Sequence, residues 1–381
     1  MRLTIEQAVR KGYKDVYFTW PGLGDNIVMF FAAETYFKTK GKKLLISTNL
    51  PDLLDNSDYC DFIDNINTSD FSERYKILQK AGIMPHFLSC TRLKWLNENE
   101  NVILWPDCHI VASYCSQLGI SGKIDIQPRL YFSDEEKSFG RFFEKKQIAI
   151  MTDGMQNYKT YPFEKLQKIV NELKNDYNFV QIGKKSDQKL KNCLDKRGAF
   201  TIRQVAAVLH NSDCFVGGIG GLMHLAKASG CPAVITYSKG EPYHLAFYPE
   251  NINVVARKCC DLCGRNLRDP QHQRCLNNYS CIRSIKTADV VAAIRRMMSQ
   301  RREAGPFVVE IKGNERKGLE HYWAQFKTLY CDGAFVRNNV KKYYISLLGL
   351  PLFKCIISER KRKFFFLNIL LCVITQDDLY N

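Results

Sequence analysis

Gly22-Leu23-Gly24-Asp25 places a carboxylate at the start of a helix directly after a strand. Backbone without side chains lets a substrate approach closely, and open α/β sheets take ligands in the crevice at the carboxyl ends of their strands. A carboxylate there can serve as a general base, worth roughly 100- to 10,000-fold in rate. The plainer role for Asp25 is a helix cap worth about 1 kcal/mol, and spacing alone favours the cap. Gly217-Gly218-Ile219-Gly220-Gly221, before a second helix, says more. Exposed N–H groups and the positive end of a helix dipole make an anion site suited to a diphosphate. His224, one turn into that helix, points back toward the same end; a satisfied core histidine is the ordinary alternative. Lys159, in the loop before Pro162, has the reach to meet the same diphosphate or else is a solvated surface lysine.

A third constellation is Cys259, Cys260, Cys263, Cys275 and Cys281. Four thiolates in a loop segment suit a tetrahedral structural metal, zinc or iron. Cys260, Cys263, Cys275 and Cys281 are the expected ligands, with Cys259 a spare for Cys260. The other ten of the 15 cysteines are scattered singly and read as small buried hydrophobes.

The elements that must position these groups repeat one pattern. Val16–Trp20 reads as a strand, Pro21–Gly24 as a turn, and Asp25 as the cap of a helix through Phe37. Gly41 ends that helix, and 43–47 starts a second strand. Between Pro51 and Gln127 only Val102–Trp105 stands out, as a short strand. The pattern restarts at Gln147–Thr152 and continues through a helix after Pro162, a strand at 179–183 and a helix capped by Thr201 with Gln204. A strand at 213–216, a helix at 222–229 and a strand at 232–237 follow. Thr287 caps a further helix. Alternation of this kind builds parallel sheets. The expectation is an α/β protein of two Rossmann-like domains, 1–140 and 145–302, the second carrying the cysteine loop 259–281. Residues 307–381 then form a C-terminal extension with a weak internal repeat, Lys341–Ile345 echoed by Arg362–Phe366.

The composition fits that plan. The chain has 381 residues, 45% hydrophobic and 25% charged, which excludes a disordered tail, a collagen-like fibre and a disulfide-stapled miniprotein. A net charge of +16 favours anionic partners. Half of that excess lies in residues 256–302, where eleven Lys and Arg face three Asp. No signal peptide is recognisable at Met1–Val16, and the longest apolar run, Phe364–Ile374, is broken by Asn368 and is shorter than the roughly 20 residues of a spanning helix. A cytoplasmic protein is expected. Basic residues beside aromatics in the tail suit peripheral contact with an inner membrane surface as well as packing on the body.

Three motifs, Pro21–Asn26, Lys159-Thr160-Tyr161-Pro162 and Val216–Ala226 with its Gly-Gly-Ile-Gly-Gly-Leu-Met-His core, together resemble glycosyltransferase family 9 over about residues 15–300. These are the ADP-heptose heptosyltransferases of bacterial envelopes. The resemblance implies a GT-B fold, two facing Rossmann-like domains, with Asp25 the base on the acceptor hydroxyl after Gly24. It also implies that Thr152 and Lys159 contact the donor diphosphate, and that Gly221 and His224 match the glycine and histidine of an Asp-Thr-Gly-x-x-His nucleotide motif. Ile219 and Gly220 stand where that motif has Asp and Thr, so Gly220 can meet phosphate only through its backbone. The cysteine segment is similar to the metal-bearing insertion of autotransporter heptosyltransferases, where the ion is iron, and the tail to repeats appended to envelope-sugar enzymes.

The resulting expectation is inverting transfer of a sugar, heptose first, from a nucleoside-diphosphate sugar to lipopolysaccharide core or protein. Lys159 and the 217–221 loop would stabilise the leaving diphosphate, with no catalytic divalent cation. The partners are a glycan or protein acceptor, compatible with a homo-oligomer, and not nucleic acid. The competing class is a non-enzymatic nucleic-acid-binding module using the basic, metal-tied segment, which leaves the two glycine loops unexplained. A nicotinamide-dependent oxidoreductase would need a glycine fingerprint with a downstream ribose-binding acid.

Overall fold

The computed structural model describes residues 1–64, 71–90, 92–97, 100–104, 106, 108–154, 157–238, 242–256, 278–299 and 307–311, together with the strands at 341–347, 350–357, 361–366 and 369–375. It divides into two units, Met1–Lys317 and Gly318–Asn381.

The first unit opens with α1 (Ile5–Arg10), closed by a Thr4–Gln7 capping box, and β1 (Asp15–Phe18). Then follow α2 (Leu23–Lys40), β2 (Leu44–Thr48), β3 (Cys60–Asp64), α3 (Phe71–Lys80) and β4 (Met84–Phe87). The strands form a parallel sheet in the order β3-β2-β1-β4. A hairpin, β5 (Arg92–Asn97) and β6 (Glu100–Leu104), precedes α4 (Ile110–Gln117) and β7 (Gly122–Asp125). The short α5 (Asp134–Ser138) leads into the second half.

There, β8 (Gln147–Ile150), α6 (Phe163–Leu173), β9 (Asn178–Gln181), β10 (Leu194–Asp195), α7 (Ile202–His210), β11 (Cys214–Gly218), α8 (Gly221–Ala228), β12 (Ala233–Tyr237) and β13 (Ile252–Val255) alternate as expected. Their parallel sheet runs β10-β9-β8-β11-β12-β13. The helices α9 (Ser280–Ser284) and α10 (Thr287–Ser299) cover it, with Ile282, Val290, Ile294 and Met297 in one core with Ile148, Val216 and Val234. Pro162, after which the helix is expected, is the N-cap of α6. Then β14 (Val308–Ile311) returns to pair antiparallel with β7 in the first half.

α2 is buried on every side from Asn26 to Glu34. An apolar stripe would suit a helix lying on a sheet; a helix apolar all round must be enclosed. α2 contacts α4 and α8 as well as its own sheet, so it is the element on which the two halves meet. Arg203 on α7 ties them further, donating to Glu136, to the Asp52 carbonyl at 3.0 Å and to the Tyr131 carbonyl at 2.5 Å.

The second unit contains β15 (Lys341–Leu347), β16 (Leu350–Ile357), β17 (Lys361–Phe366) and β18 (Ile369–Thr375) as an antiparallel meander. The two halves of the sequence repeat are therefore the first strands of successive hairpins, with Lys341 opposite Ile357 and Lys361 opposite Thr375.

Candidate active site

The turn after β1 ends at Gly22, which caps α2 through its backbone and has no side chain to do so. Asp25, expected as the cap, instead occupies the third position of the first turn. Its carboxylate folds back over Gly22, where a Cβ would lie 2.6 Å from Oδ2. An anion in the first helical turn is favoured by the dipole, so the sequence keeps a stabilised carboxylate without using it as a cap. Asn26, next along, donates to the carbonyls of Trp20 at 3.2 Å and Gly22 at 2.9 Å and accepts from Thr48 at 2.8 Å. It pins the turn to the end of β2. The Tyr114 hydroxyl of α4, fully buried, lies 3.4 Å from Asp25 Oδ1 and 2.7 Å from Thr19 Oγ1, and Thr19 in turn donates to the Leu88 carbonyl at 2.9 Å.

The second half supplies the opposite wall. Gly220, with φ 153° and ψ −165°, caps α8 in a conformation reserved to glycine. A Cβ there would meet nothing within 4 Å, so the loop borders open space at this residue. Ile219 turns inward and is 2% exposed; no carboxylate stands in that place. The loop carrying Lys159, a 3-10 turn at Asn157–Lys159, lies on the end of β11. Its Lys159 carbonyl fills the space that side chains would take at Gly154 and Gly218, at 2.7 and 2.0 Å from the two Cβ positions. Thr152 directs its hydroxyl to the Gln188 carbonyl at 3.2 Å and accepts from Gln181 at 3.3 Å. A diphosphate contact from Thr152 therefore calls on its backbone rather than its hydroxyl.

The two walls touch. A Cβ on Gly24 would fall 2.8 Å from His224 Cδ2 and 3.5 Å from the Gly221 Cα, and a Cβ on Gly221 would fall 2.8 Å from the Leu23 Cβ. Only glycine at both positions permits α2 and α8 to meet end to end, and this contact joins Gly24, Gly221 and His224 with the turn that bears Asp25. His224 is buried, with Nδ1 2.7 Å from the Tyr248 hydroxyl. Burial first, and then the Lys159 charge, pushes its pKa down to about 3. His109, before α4, is likewise driven to about 3, by burial first and then the neighbouring His224. Its Nε2 lies 3.1 Å from the Phe247 carbonyl, and its ring is tilted on Tyr248 at 5.5 Å.

Among the expected residues, Asp25, Gly24, Lys159, Gly220, Gly221 and His224 thus surround the seam, while Thr152 is tied to Gln181 and Gln188 in the second half. Sequence reasoning gave Asn26 no role beyond its place in the Pro21–Asn26 motif and passed over His109, Tyr114 and Tyr248. Of the expected metal ligands, Cys260, Cys263 and Cys275 lie outside the described residues. Cys281 is buried in the first turn of α9, after Tyr279 in a left-handed conformation at φ 54°. Among the described residues no group of three or more His, Cys, Asp or Glu could hold a metal ion. The donor set itself, four thiolates, suits tetrahedral iron or zinc. No helix among the described residues is long and apolar enough to cross a membrane.

Residues 91–267, just under half of the chain, match the profile of glycosyltransferase family 9 (heptosyltransferase). No curated protein matches the chain by sequence. Among solved structures, the chain is similar to the iron-containing dodecameric glycosyltransferase TibC of enterotoxigenic E. coli H10407, at TM-score 0.57 and 17% identity over 75% of this chain and 76% of that one. It is similar to the E. coli ADP-heptose lipopolysaccharide heptosyltransferase II at TM-score 0.55 and 13% identity, over 75% and 99%. A family 9 glycosyltransferase of Veillonella parvula DSM 2008 gives TM-score 0.53 and 14% identity, over 75% and 97%. The likeness to family 9 read from the motifs is met by the profile over residues 91–267, which takes in the Lys159 loop and the glycine loop before α8, and the GT-B fold by the similar solved structures.

Proposed function

We propose that this protein is a glycosyltransferase that transfers a heptose, with inversion, from a nucleoside-diphosphate heptose to a hydroxyl of a bacterial envelope acceptor, a glycan or a protein. The observation that carries the reading is the contact between Gly24 and Gly221, which sets the Asp25 turn against the glycine loop of α8. ADP-heptose is the donor of first choice, since TibC is described in complex with ADP-D-beta-D-heptose.

In this reading Asp25 takes the proton of the acceptor hydroxyl as its oxygen attacks the anomeric carbon. The bond from that carbon to the diphosphate oxygen breaks on the opposite face, and the nucleoside diphosphate leaves with the bonding pair. Lys159 and the free N–H groups at the start of α8 meet the charge that develops on it. Preset donors of this kind need no reorganisation at the moment of reaction, and the reading assigns no step to a divalent cation. Asp25→Asn keeps the shape of the turn and removes the base. It should abolish transfer while leaving nucleoside-diphosphate binding intact; near-normal turnover would remove the base assignment.

The same reading places structural iron or zinc on Cys260, Cys263, Cys275 and Cys281. When bound, the ion ties the basic segment 256–302 together and takes no part in transfer. It also has the enzyme working in the cytoplasm, in peripheral contact with the inner membrane, and as a homo-oligomer; TibC is described as dodecameric.

A further inference from the structure

His224 lies in the second turn of α8, and its imidazole sits against the one residue, Gly24, that separates it from the Asp25 turn. Nδ1 is 2.7 Å from the Tyr248 hydroxyl, the ring planes stand at 90°, and Tyr248 is wholly buried. Among the described residues the Tyr248 hydroxyl has no other hydrogen-bond partner, and neither does Nε2 of His224. Nε2 would lie 3.5 Å from a Cβ on Gly24, so it opens onto the seam.

The proton can be located from these facts. A phenol carries one hydrogen, and leaving it unpaired in the interior is costly. Burial raises the Tyr248 ionisation well above its usual range, so the hydroxyl keeps that hydrogen. Lys227, one turn further along α8, stands 5.5 Å over the Tyr248 ring and is paired with the buried Glu250 at 2.5 Å, which favours a polarised phenol. The hydroxyl therefore donates to Nδ1. A neutral imidazole whose Nδ1 accepts must carry its own hydrogen on Nε2.

We infer that Tyr248 is a positioning residue which, by donating to Nδ1, holds His224 as the neutral Nε2–H tautomer and aims one hydrogen-bond donor into the seam, where a donor-diphosphate oxygen arrives. The inference deepens the transferase reading above and rests on it for the ligand. Neutrality matters because an imidazolium beside Asp25 would pair with the carboxylate and weaken it as a base. A neutral donor stabilises the leaving group without that penalty, a device that a helix N-terminus assists. The groups facing His224 agree: the Lys159 charge disfavours a positive ring, His109 is itself held neutral by burial, and Lys227 is already matched by Glu250.

The test uses full-length protein labelled with 15N-histidine, first without nucleotide and then with ADP, the His224 signals being those lost in His224→Gln. Nδ1 should show the shift of an unprotonated ring nitrogen and Nε2 that of a protonated one, unchanged across about pH 5 to 8. Addition of ADP should move Nε2 and leave the tautomer as it was. Tyr248→Phe should mix the two tautomers and lower kcat roughly tenfold, the worth of one buried hydrogen bond. In a His224→Gln background, where an amide supplies a fixed donor, Tyr248→Phe should cost nothing further. A protonated Nδ1 in the wild-type protein, or equal losses from Tyr248→Phe in both backgrounds, overturns the inference. Absence of transfer from every nucleoside-diphosphate sugar tried would instead remove the transferase reading, and the nucleotide-free tautomer measurement does not depend on it.

Discussion

The Tyr114 hydroxyl lies 3.4 Å from Oδ1 of Asp25, across 89 positions of sequence, and its phenol is completely buried. Burial first, and then the Asp25 charge, raises the ionisation of Tyr114, so the hydroxyl keeps its one hydrogen, shared between the carboxylate at 3.4 Å and Thr19 Oγ1 at 2.7 Å. The Thr19 hydroxyl is itself held by the Leu88 carbonyl. The carboxylate is thus backed by a braced phenol. Tyr114→Phe should lower kcat about 3- to 10-fold, the range of an ordinary hydrogen bond net of solvation, with the donor KM unchanged. Steady-state kinetics check this; an altered donor KM with intact kcat would place Tyr114 at the nucleotide instead.

The glycine contact gives a steric prediction. Gly24→Ala puts a methyl group 2.8 Å from His224 Cδ2, in a place where α2 and α8 cannot both stay. Overpacking of this kind costs about 1–3 kcal/mol of stability, and a displacement of about 1 Å at the reacting groups costs roughly 100-fold in turnover. Thermal unfolding and a transfer assay on the same sample separate the two effects. Gly12→Ala is the comparison for backbone strain alone, because φ is +88° and nothing lies within 4 Å of its Cβ position.

Lys227 and Glu250, both nearly buried, form a pair whose loss is asymmetric. Lys227→Met leaves Glu250 buried without its cation and should cost about 3–5 kcal/mol in urea unfolding. Replacing both, Lys227→Met with Glu250→Leu, should recover most of that loss. Equal destabilisation by the single and double variants would contradict the account of the pair.

Two histidines make stability depend on pH with a definite sign. The folded-state pKa values of His224 and His109 are pushed down to about 3, by burial first in each. In the unfolded chain both titrate near 6.5. The stabilisation is therefore complete above about pH 6.5 and is lost as the pH falls toward 3. Each histidine removes about 1.4 kcal/mol per pH unit over that window. His224→Gln should remove about half of the slope that the pair contributes, read from urea unfolding at several pH values between about 6.5 and 4.5.

The alternating units were legible because each carries its own punctuation. Thr201 with Gln204 forms the capping box that the spacing predicts, and Gly41 closes α2 in a left-handed conformation. The glycine loop before α8 was legible for the same reason. What escaped notice depends on pairs brought together only by the seam. Tyr114 meets Asp25, and Tyr248 meets His224, and neither tyrosine has a local pattern distinguishing it from a core aromatic. Asp25 looked like a cap because its type suits one; Gly22 takes that place because the carboxylate folds back over it. The pairing of β14 with β7 joins residues 182 apart, as between Phe307 and Asp125, and has no local sequence signature. Between Pro51 and Gln127 the strands are short and the hairpin falls where a helix would complete the unit, which blurs the period.

The central claim is that the seam between α2 and α8 takes a nucleoside diphosphate. Isothermal titration of the purified protein with ADP, GDP, UDP and NAD in turn tests it most directly. The account predicts micromolar binding of one nucleoside diphosphate, ADP first, retained in Asp25→Asn and weakened by Lys159→Ala. Binding of none of them, with strong salt-sensitive retention on DNA, would contradict the account and favour a nucleic-acid-binding role for the basic segment.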